Sequence, residues 1–266
     1  MPLTIDLENK RAFVSGVTRG IGSGIARALA MAGCDVAGCG TCGAEHENAQ
    51  GFVRGIEALG RKALYVQGDL SQPETPAKLM QAMQAKWGSL DVLISNAGRN
   101  VFKGAELCSE DDWDECMNLD LASHWRLSKE ALPLLRNSKS DEPGSIVIIG
   151  SNHAHNTIPG CFPYNVAKAG LLGLVQSIAI EWGPDIRCAG IAPGFIDTPG
   201  NDAWFDTFPD SAAERKRTED SHPVGRIGSV DEIGALCAFL ASPHGGFISG
   251  TTLLADGGRS ALMQDA

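Results

Sequence analysis

Short apolar runs rich in β-branched residues alternate along this chain with longer segments of helical periodicity. After the first run, Ile21, Ile25, Ala28, Leu29 and Ala32 recur at the three- and four-residue spacing of one helix face. Alternating strands and helices are typical of a parallel sheet whose right-handed crossovers place helices on both faces. Seven runs predict strands: Arg11–Ser15, Asp35–Ala37, Lys62–Gln67, Leu90–Ser95, Ser145–Gly150, Ile186–Ala192 and Thr252–Ala255.

The chain shows no internal repeat, low-complexity segment or linker-like change in composition, so the pattern predicts one α/β domain over residues 1–266. Residues 199–228 are the exception to the alternation. They are rich in Asp, Pro and Thr and include an aromatic patch at Trp204, Phe205 and Phe208. A long connection without a strand predicts an irregular substrate lid on the same domain.

Composition and charge narrow the class of partner. With 43% apolar and 20% charged residues the chain can build a large core, and its net charge of −10 argues against nucleic acid or an anionic membrane surface. We therefore expect a small-molecule ligand. The sequence has neither a secretory signal pattern nor an apolar run long enough to span a bilayer, and its eight cysteines lack the spacing of a disulfide framework. A cytoplasmic location is the expectation.

A glycine-rich turn follows the first predicted strand and opens the amphipathic helix that begins near Ile21. The residues from Ser15 to Gly22 read Ser-Gly-Val-Thr-Arg-Gly-Ile-Gly. Glycines in this position allow a tight turn and let backbone N–H groups approach a pyrophosphate at the helix N-terminus. The order of strand, glycines and helix predicts a dinucleotide site.

The end of the second strand bears on which dinucleotide would bind. An acidic residue about twenty positions after the glycines would accept hydrogen bonds from a free adenosine ribose, but Gly40 and Thr41 stand there. Without that carboxylate a 2′-phosphate is not repelled, and Arg19 in the glycine turn could pair with it. The sequence favours NADP over NAD. The alternative, in which Arg19 is a solvated loop charge, stays open.

Candidate acid/base residues occur where a long apolar helix begins. Tyr164 and Lys168 are four residues apart and therefore project on nearly the same helix face. A nearby ammonium favours the phenolate form of a tyrosine, which would tune Tyr164 for proton exchange. Ser151 directly follows the fifth strand, where its hydroxyl could donate to a substrate oxygen, although serines after strands are more often turn residues.

Taken together, these residues resemble the short-chain dehydrogenase/reductase family along nearly the whole chain. The glycine turn looks like the cofactor loop of the family, and Asn96-Ala97-Gly98 matches its signature after the fourth strand. The resemblance implies a Rossmann fold with strand order 3-2-1-4-5-6-7, and commonly a homotetramer, with a dimer as the other possibility. It also implies a catalytic tetrad in which a helix asparagine, matched to Asn118, joins Ser151, Tyr164 and Lys168 and positions a water for a proton relay.

The resemblance further implies which residues hold a nicotinamide cofactor. Asp69 would accept from the adenine amino group, and the loop after the sixth strand would hold the carboxamide through the backbone of Ile196 and the hydroxyl of Thr198. The complete implied cofactor set is Gly16, Thr18, Arg19, Gly20, Ile21, Gly22, Asp69, Leu70, Asn96, Ala97, Gly98, Tyr164, Lys168, Pro193, Gly194, Ile196 and Thr198.

Other residues admit two interpretations. Cys39 and Cys42 have the spacing of a redox dithiol or half a zinc site, but without further ligands at suitable spacing we expect a reduced pair near the adenosine pocket and no metal. His153 and His155 follow Ser151 and are expected in the substrate pocket wall and not as metal ligands. Trp204, in the predicted lid, is a candidate substrate contact.

The sequence thus predicts an oxidoreductase that moves a hydride between NADP(H), or NAD(H), and a secondary alcohol or ketone. Tyr164 would exchange the proton, Ser151 would hold the oxygen, Lys168 would lower the pKa of Tyr164 and grip the ribose, and Asn118 would carry the relay. The alternative is a relative that acts as a non-redox lyase or dehalogenase, or as a cofactor-sensing regulator. The sequence leaves the substrate open among polyols or sugars, ketoacyl chains and cyclic ketones.

Overall fold

A seven-stranded parallel sheet organises residues 4–262, which are the part of the chain that the computed structural model describes. The strand order is β3-β2-β1-β4-β5-β6-β7, so the predicted order and the predicted Rossmann fold are confirmed. The strands are β1 Arg11–Ser15, β2 Asp35–Gly40, β3 Ala63–Gln67, β4 Val92–Ser95, β5 Gly144–Ile149, β6 Ile186–Pro193 and β7 Thr252–Ala255.

The predicted and observed strands differ mainly at β2. The predicted strand ends at Ala37, but the observed strand continues through Gly38 to Gly40 and pairs with β3 from Val36 to Gly40. Glycine weakens an isolated strand but allows a close approach of other atoms. A Cβ atom on Gly38 would lie 2.4 Å from Cγ1 of Val17, so the glycine turn packs directly on β2.

Apolar side chains on both faces of the sheet explain why the strands lack a simple alternation of polar and apolar residues. Phe13 of β1 is fully buried on one face, whereas its neighbours Ala12 and Val14 are buried on the other. Each large apolar side chain removed from water contributes about 1.5–3 kcal/mol. One core packs against α1 Gly20–Met31, α2 Glu47–Glu57 and α9 Val230–Ala241, and the other against α3 Thr75–Lys86, α5 Ser123–Arg136 and α6 Tyr164–Trp182.

The remaining helices lie beyond the carboxyl ends of the strands. Helix α4 covers Glu110–Met117 and continues through a π-turn at Asn118–Ala122 into α5. The segment 199–228, predicted to be irregular, instead contains α7 Pro199–Phe205 and α8 Ser211–Asp220.

N-terminal caps explain this difference. The side chain of Thr198 accepts from the N–H of Asn201 at the start of α7, and that of Asp210 accepts from the N–H of Ala213 at the start of α8. Both caps lie in a stretch of polar residues without apolar periodicity, so the sequence interpretation missed the helices. None of the helices within residues 4–262 has the length and apolar character needed to cross a membrane.

Candidate active site

The candidate site lies at the carboxyl ends of the central strands. The chain order reverses between β1 and β4, and open parallel sheets bind ligands in the crevice at such a point. The glycine turn follows β1, the Asn96-Ala97-Gly98 segment follows β4, Ser151 follows β5, and the segment from Gly194 to Thr198 follows β6. The sheet therefore brings together four of the sequence-predicted segments.

The glycine turn is fixed to the segment after β4. The Ser15 hydroxyl oxygen accepts from the backbone N–H groups of Asn96 and Ala97, both at 2.9 Å, and the Asn96 amide donates to the Ser15 carbonyl at 2.9 Å. Gly16 has φ of +75°, and a Cβ atom on Gly22 would lie 2.1 Å from the Gly16 carbonyl oxygen. Only glycine at position 22 allows the turn to close against the helix.

The first turn of α1 is open to an anion. Arg19 at its N-cap makes no side-chain capping bond, and the first turn holds no acidic residue. Unsatisfied N–H groups at a helix N-terminus attract phosphate. Gly20 approaches the loop after β6, since a Cβ atom on it would lie 3.7 Å from Cγ2 of Thr198. The turn and this loop thus form two sides of one cleft, and an open helix terminus beside a close-packed glycine turn fits the pyrophosphate of a dinucleotide.

The residues predicted around the adenosine also lie at one edge of the sheet. The N–H of Gly68 donates to the Gly40 carbonyl at 2.9 Å, which places Asp69 and the buried Leu70 next to the end of β2. The Asp69 carboxylate accepts from the N–H of Ser71 at 2.9 Å. A Cβ atom on Gly40 would lie 2.7 Å from Cγ2 of Thr18. A side chain at this end of β2 would require Thr18 to shift.

Tyr164 and Lys168 occupy successive turns at the start of α6, as their spacing predicted. The Lys168 Nζ atom lies 5.3 Å from the centroid of the Tyr164 ring. Tyr164 is 9% exposed and Lys168 is 3% exposed, so both act in a site shielded from water. Ser151, 7% exposed, accepts from the N–H of His153 at 3.2 Å, which leaves its own hydroxyl hydrogen free to donate. The structure brings Ser151, Tyr164 and Lys168 together.

Asn118 does not join them. Its amide donates to the Ser71 carbonyl at 2.6 Å, and its oxygen accepts from the Arg126 guanidinium at 2.6 Å. Both polar atoms of the Asn118 side chain are therefore engaged away from Lys168. The place predicted for Asn118 beside Lys168 is corrected, because residues two apart on a helix face nearly opposite directions.

Asp120 lies beside Lys168 instead. Its Oδ1 atom is 3.1 Å from the Lys168 Nζ atom and accepts from the N–H of Arg99 at 3.0 Å. Asp120 is fully buried within the π-turn. A Cβ atom on Gly98 would lie 2.6 Å from Oδ1 of Asp120 and 3.2 Å from Nζ of Lys168, so glycine at position 98 makes room for the ion pair. The sequence analysis missed Asp120.

The ionisation of the site follows from burial and charge. Burial raises the pKa of the Tyr164 phenol above its ordinary value, Lys168 and a hydrogen bond with Ser151 lower this pKa, and Asp120 and Cys161 raise it. Burial opposes the charge of Lys168, but Tyr164 and Asp120 together raise the pKa of its ammonium. Lys168 is therefore charged at neutral pH, and Tyr164 is protonated.

An aromatic wall faces Tyr164. The Phe102 ring lies edge-on with its centroid 5.3 Å from that of Tyr164, and the His153 ring centroid lies 6.2 Å from it. Burial, with a smaller effect of Arg259, lowers the pKa of His153, which keeps this imidazole neutral. His155 is exposed two residues further on. The predicted pocket position therefore suits His153, whereas His155 lies at the surface.

The loop after β6 and the helices that follow it form the other side of the cleft. Gly194 packs against Asp256, the buried Ile196 has a carbonyl that accepts from the Asn201 amide at 2.6 Å, and Pro193 ends β6. Trp204, which is 39% exposed, packs on Phe195, Phe205 and Phe208 with ring centroids 4.8–5.6 Å apart. Trp204 thus belongs to an aromatic cluster of the 199–228 segment, and its ring contacts that cluster and not Tyr164.

The two cysteines near the adenosine edge have different surroundings. Cys39 is buried in β2, where burial raises its pKa to about 12, and Cys42 has its Sγ atom 3.4 Å from the Tyr65 hydroxyl. Within residues 4–262 no three His, Cys, Asp or Glu side chains are grouped as metal ligands.

Comparison with known proteins agrees with this geometry. The family described as enoyl-(acyl carrier protein) reductase matches residues 16–260. A tropinone reductase homolog of Arabidopsis thaliana is 34% identical over 256 residues, which cover 96% of this chain and 91% of that protein. The 3-oxoacyl-(acyl-carrier-protein) reductase FabG of Vibrio cholerae is 33% identical over 255 residues, which cover 96% and 98%. The chain belongs to the short-chain dehydrogenase/reductase family.

A solved structure extends the agreement to three dimensions. The RhlG/NADP active-site complex of Pseudomonas aeruginosa superposes with a TM-score of 0.88 at 29% identity, over 98% of this chain and 100% of that one. The protein is an NAD(P)-dependent dehydrogenase/reductase.

Proposed function

We propose that the protein transfers a hydride between NADP(H) and a secondary alcohol or ketone, with Tyr164 as the general acid and base. The observation that carries this proposal is the buried group of Ser151, Tyr164 and Lys168 at the carboxyl end of β5, next to the open N-terminus of α1. A nicotinamide cofactor supplies the hydride or accepts it. The chain supplies the proton and holds the substrate oxygen.

The roles of the three side chains follow from their donors and charges. In reduction, the Tyr164 hydroxyl donates its proton to the carbonyl oxygen as negative charge develops there, and the Ser151 hydroxyl donates a hydrogen bond to the same oxygen. In oxidation, the Tyr164 phenolate takes the proton of the alcohol. The Lys168 ammonium stabilises that phenolate and would also donate to the hydroxyl groups of a ribose.

The end of β2 supports NADP as the cofactor. Gly40 presents no carboxylate to a ribose 2′-hydroxyl, and a side chain there would require Thr18 to shift. Arg19 is exposed at the N-terminus of α1, and within the described residues its guanidinium has no hydrogen bond or ion pair. A free guanidinium suits bidentate binding of a 2′-phosphate. The NADP complex of the structurally similar RhlG agrees with this choice.

The surroundings of Tyr164 support a pocket for a small organic substrate. Phe102 and the neutral imidazole of His153 form one wall, and the chain continues from the loop after β6 into α7 and α8. We assign the 199–228 segment as the substrate lid. Arg215 of α8 forms ion pairs with Asp197 and Asp202, which tie α8 to the loop that carries Ile196 and Thr198. Movement of this segment would therefore open the substrate and nicotinamide sites together.

Two exposed apolar side chains support a homo-oligomer. Trp125 on α5 is 46% exposed and Ile180 on α6 is 80% exposed. Large apolar groups at a surface mark interfaces when they cluster on adjacent elements. We assign α5 and α6 as the interface of a homotetramer or dimer. Light scattering of the wild-type protein and of Ile180→Glu tests this, with a smaller mass expected for the variant.

A screen with both cofactors tests the proposed function. The protein is mixed with NADPH or NADH and ketones from three classes, namely sugars, ketoacyl thioesters and cyclic ketones, and the absorbance of the reduced cofactor is followed. Turnover with NADPH is expected for at least one class. Tyr164→Phe should lose about 10²-fold or more in kcat while retaining cofactor affinity and thermal stability. Full turnover in Tyr164→Phe, or cofactor binding without turnover on any class, contradicts the proposal.

A further inference from the structure

A buried carboxylate stands beside Lys168 where the resemblance to the family predicted the neutral amide of an asparagine. Asp120 and Lys168 are exposed by 0% and 3%, and their charged atoms are 3.1 Å apart. A buried ion pair of this kind carries no net charge toward its neighbours. We propose that Asp120 is a positioning residue that offsets the charge of Lys168 at Tyr164 and thereby confines alcohol oxidation to a more alkaline pH.

The placement of Asp120 depends on three backbone features. The π-turn at Asn118–Ala122 points its carboxylate toward α6, the N–H of Arg99 donates to Oδ1, and the missing side chain of Gly98 leaves space for both partners. The pair is therefore built into the junction of the β4 loop with α4, α5 and α6.

The thiol, imidazole and hydroxyl groups near the Asp120–Lys168 pair are uncharged at neutral pH, so Lys168 and Asp120 are the charges that act on Tyr164. From α4, the Cys116 thiol lies 4.0 Å from Oδ2 of Asp120, and burial, followed by Asp120, raises its pKa to about 12, so it is neutral. From α5, His124 is buried, and burial followed by the charge of Lys168 lowers its pKa well below the ordinary value, so it is also neutral. The remaining facing groups are Ser151, His153 and Cys161, all uncharged at neutral pH.

The ion pair should give reduction and oxidation different pH dependences, and this consequence rests on the proposed function. Reduction needs a protonated Tyr164, because the phenol gives its proton to the carbonyl oxygen. Oxidation needs the phenolate, which Lys168 favours and Asp120 disfavours. Asp120 offsets part of the stabilisation that Lys168 gives to the Tyr164 phenolate. The rate of oxidation should therefore rise only at alkaline pH, whereas the rate of reduction should be high at neutral pH.

The ionisation of Tyr164 can be measured without any substrate. The chain has two tyrosines, Tyr65 and Tyr164, so the tyrosinate absorbance of wild type minus that of Tyr164→Phe reports Tyr164 alone. In the wild-type protein this difference signal should stay absent up to the ordinary tyrosine pKa of about 10. A tyrosinate signal from Tyr164 below that value overturns the proposal, whatever the activity screen shows.

The Asp120→Asn variant supplies a second test of the role of Asp120. It keeps the shape of the side chain and an oxygen for the N–H of Arg99, but removes the negative charge. The Tyr164 titration midpoint should fall by about one pH unit or more, and the pH profile of alcohol oxidation should move by the same amount in the same direction. Asn118→Ala is the matched control, since Asn118 faces Ser71 and Arg126, and it should leave the midpoint where it is.

Different outcomes test the role of Asp120 and the proposed function. An unchanged midpoint in Asp120→Asn, or an equal fall in Asn118→Ala, overturns the role of Asp120. Should Asp120→Asn not fold, Asp120→Ser, which leaves space for a water beside Lys168, is expected to show the same fall, and the wild-type titration remains decisive. Absence of turnover on every carbonyl overturns the proposed function, and the titration still decides whether Asp120 controls Tyr164.

Discussion

A Cβ atom on Gly40 would lie 2.7 Å from Cγ2 of Thr18, well inside van der Waals contact. Thr18 belongs to the turn that follows β1, and Gly40 is the last residue of β2. The Tyr65 hydroxyl oxygen would lie 3.1 Å from the same Cβ atom on Gly40. A side chain at the end of β2 would therefore displace Thr18, so packing as well as charge disfavours a ribose-binding carboxylate there.

Gly40→Asp should therefore fail to convert the protein to NAD. The new side chain forces Thr18 or Tyr65 to move, and overpacking of this kind costs about 1–3 kcal/mol in the free energy of unfolding. We expect a lower melting temperature, weaker NADP binding and no compensating gain for NAD, measured by thermal unfolding and by fluorescence titration with both cofactors. The control is Gly43→Asp, because the nearest atom to a Cβ there is 3.9 Å away. A stable Gly40→Asp variant with tight NAD binding would contradict this packing argument.

Arg19→Gln should weaken NADP binding selectively. A charge-assisted hydrogen bond contributes about 1.5–3 kcal/mol, which corresponds to a rise in the NADP Kd of about tenfold or more. The Kd for NAD should stay within about twofold, because NAD lacks the 2′-phosphate. Arg27→Gln serves as the control on the same helix, since Arg27 is paired with Asp231. Equal weakening of both cofactors in Arg19→Gln would instead assign Arg19 to the pyrophosphate.

Gly98→Ala should separate the two partners of the buried ion pair. Its methyl group would lie 2.6 Å from Oδ1 of Asp120 and 3.2 Å from Nζ of Lys168, so at least one of these buried side chains must move. Displacing one partner of a buried pair costs about 3–5 kcal/mol. We expect a marked loss of thermal stability together with a fall in kcat. Gly173→Ala in α6, where a Cβ atom meets nothing within 4 Å, should leave kcat unchanged and should not lower thermal stability, because alanine has a higher helix propensity than glycine. Normal stability of Gly98→Ala would show that the pair relaxes at little cost.

The fold could be predicted from the sequence because its signals are local and repeated. Each of the seven strands, from Arg11–Ser15 to Thr252–Ala255, is a compact apolar run between helical segments. The family resemblance then supplied their order. Helices α7 and α8 escaped prediction, since their stability comes from the caps Thr198 and Asp210 and from the aromatic cluster around Phe205 and not from an apolar stripe.

The error at Asn118 has a different cause. Motif matching chose an asparagine two residues from the right position, and a shift of two residues reverses the face of a helix. The buried positions Cys116, Asp120, His124 and Leu127 follow a spacing of four, four and three, and Asn118 is off that face. Helical periodicity, applied to this segment, would have placed Asp120 toward the site. The Asp120–Lys168 ion pair also depends on the π-turn and on Gly98, and no local sequence pattern predicts either feature.

His124 should make the stability of the protein sensitive to acid. Its side chain is fully buried, Nδ1 lies 2.8 Å from the Ser95 hydroxyl, and within residues 4–262 Nε2 has no partner. Burial, and then the charge of Lys168, lowers its pKa well below the ordinary value of 6.5. Below about pH 6.5 the unfolded chain binds a proton at this position that the folded protein refuses, so the free energy of unfolding decreases as the pH falls, by up to about 1.4 kcal/mol per pH unit. Urea unfolding between about pH 5 and 7.5 measures this slope.

His124→Asn should have a smaller slope than wild type, even though the smaller side chain lowers stability at neutral pH. His46→Asn, at the exposed N-cap of α2, should retain the wild-type slope. The same slope in His124→Asn and wild type would show that another group controls the acid sensitivity.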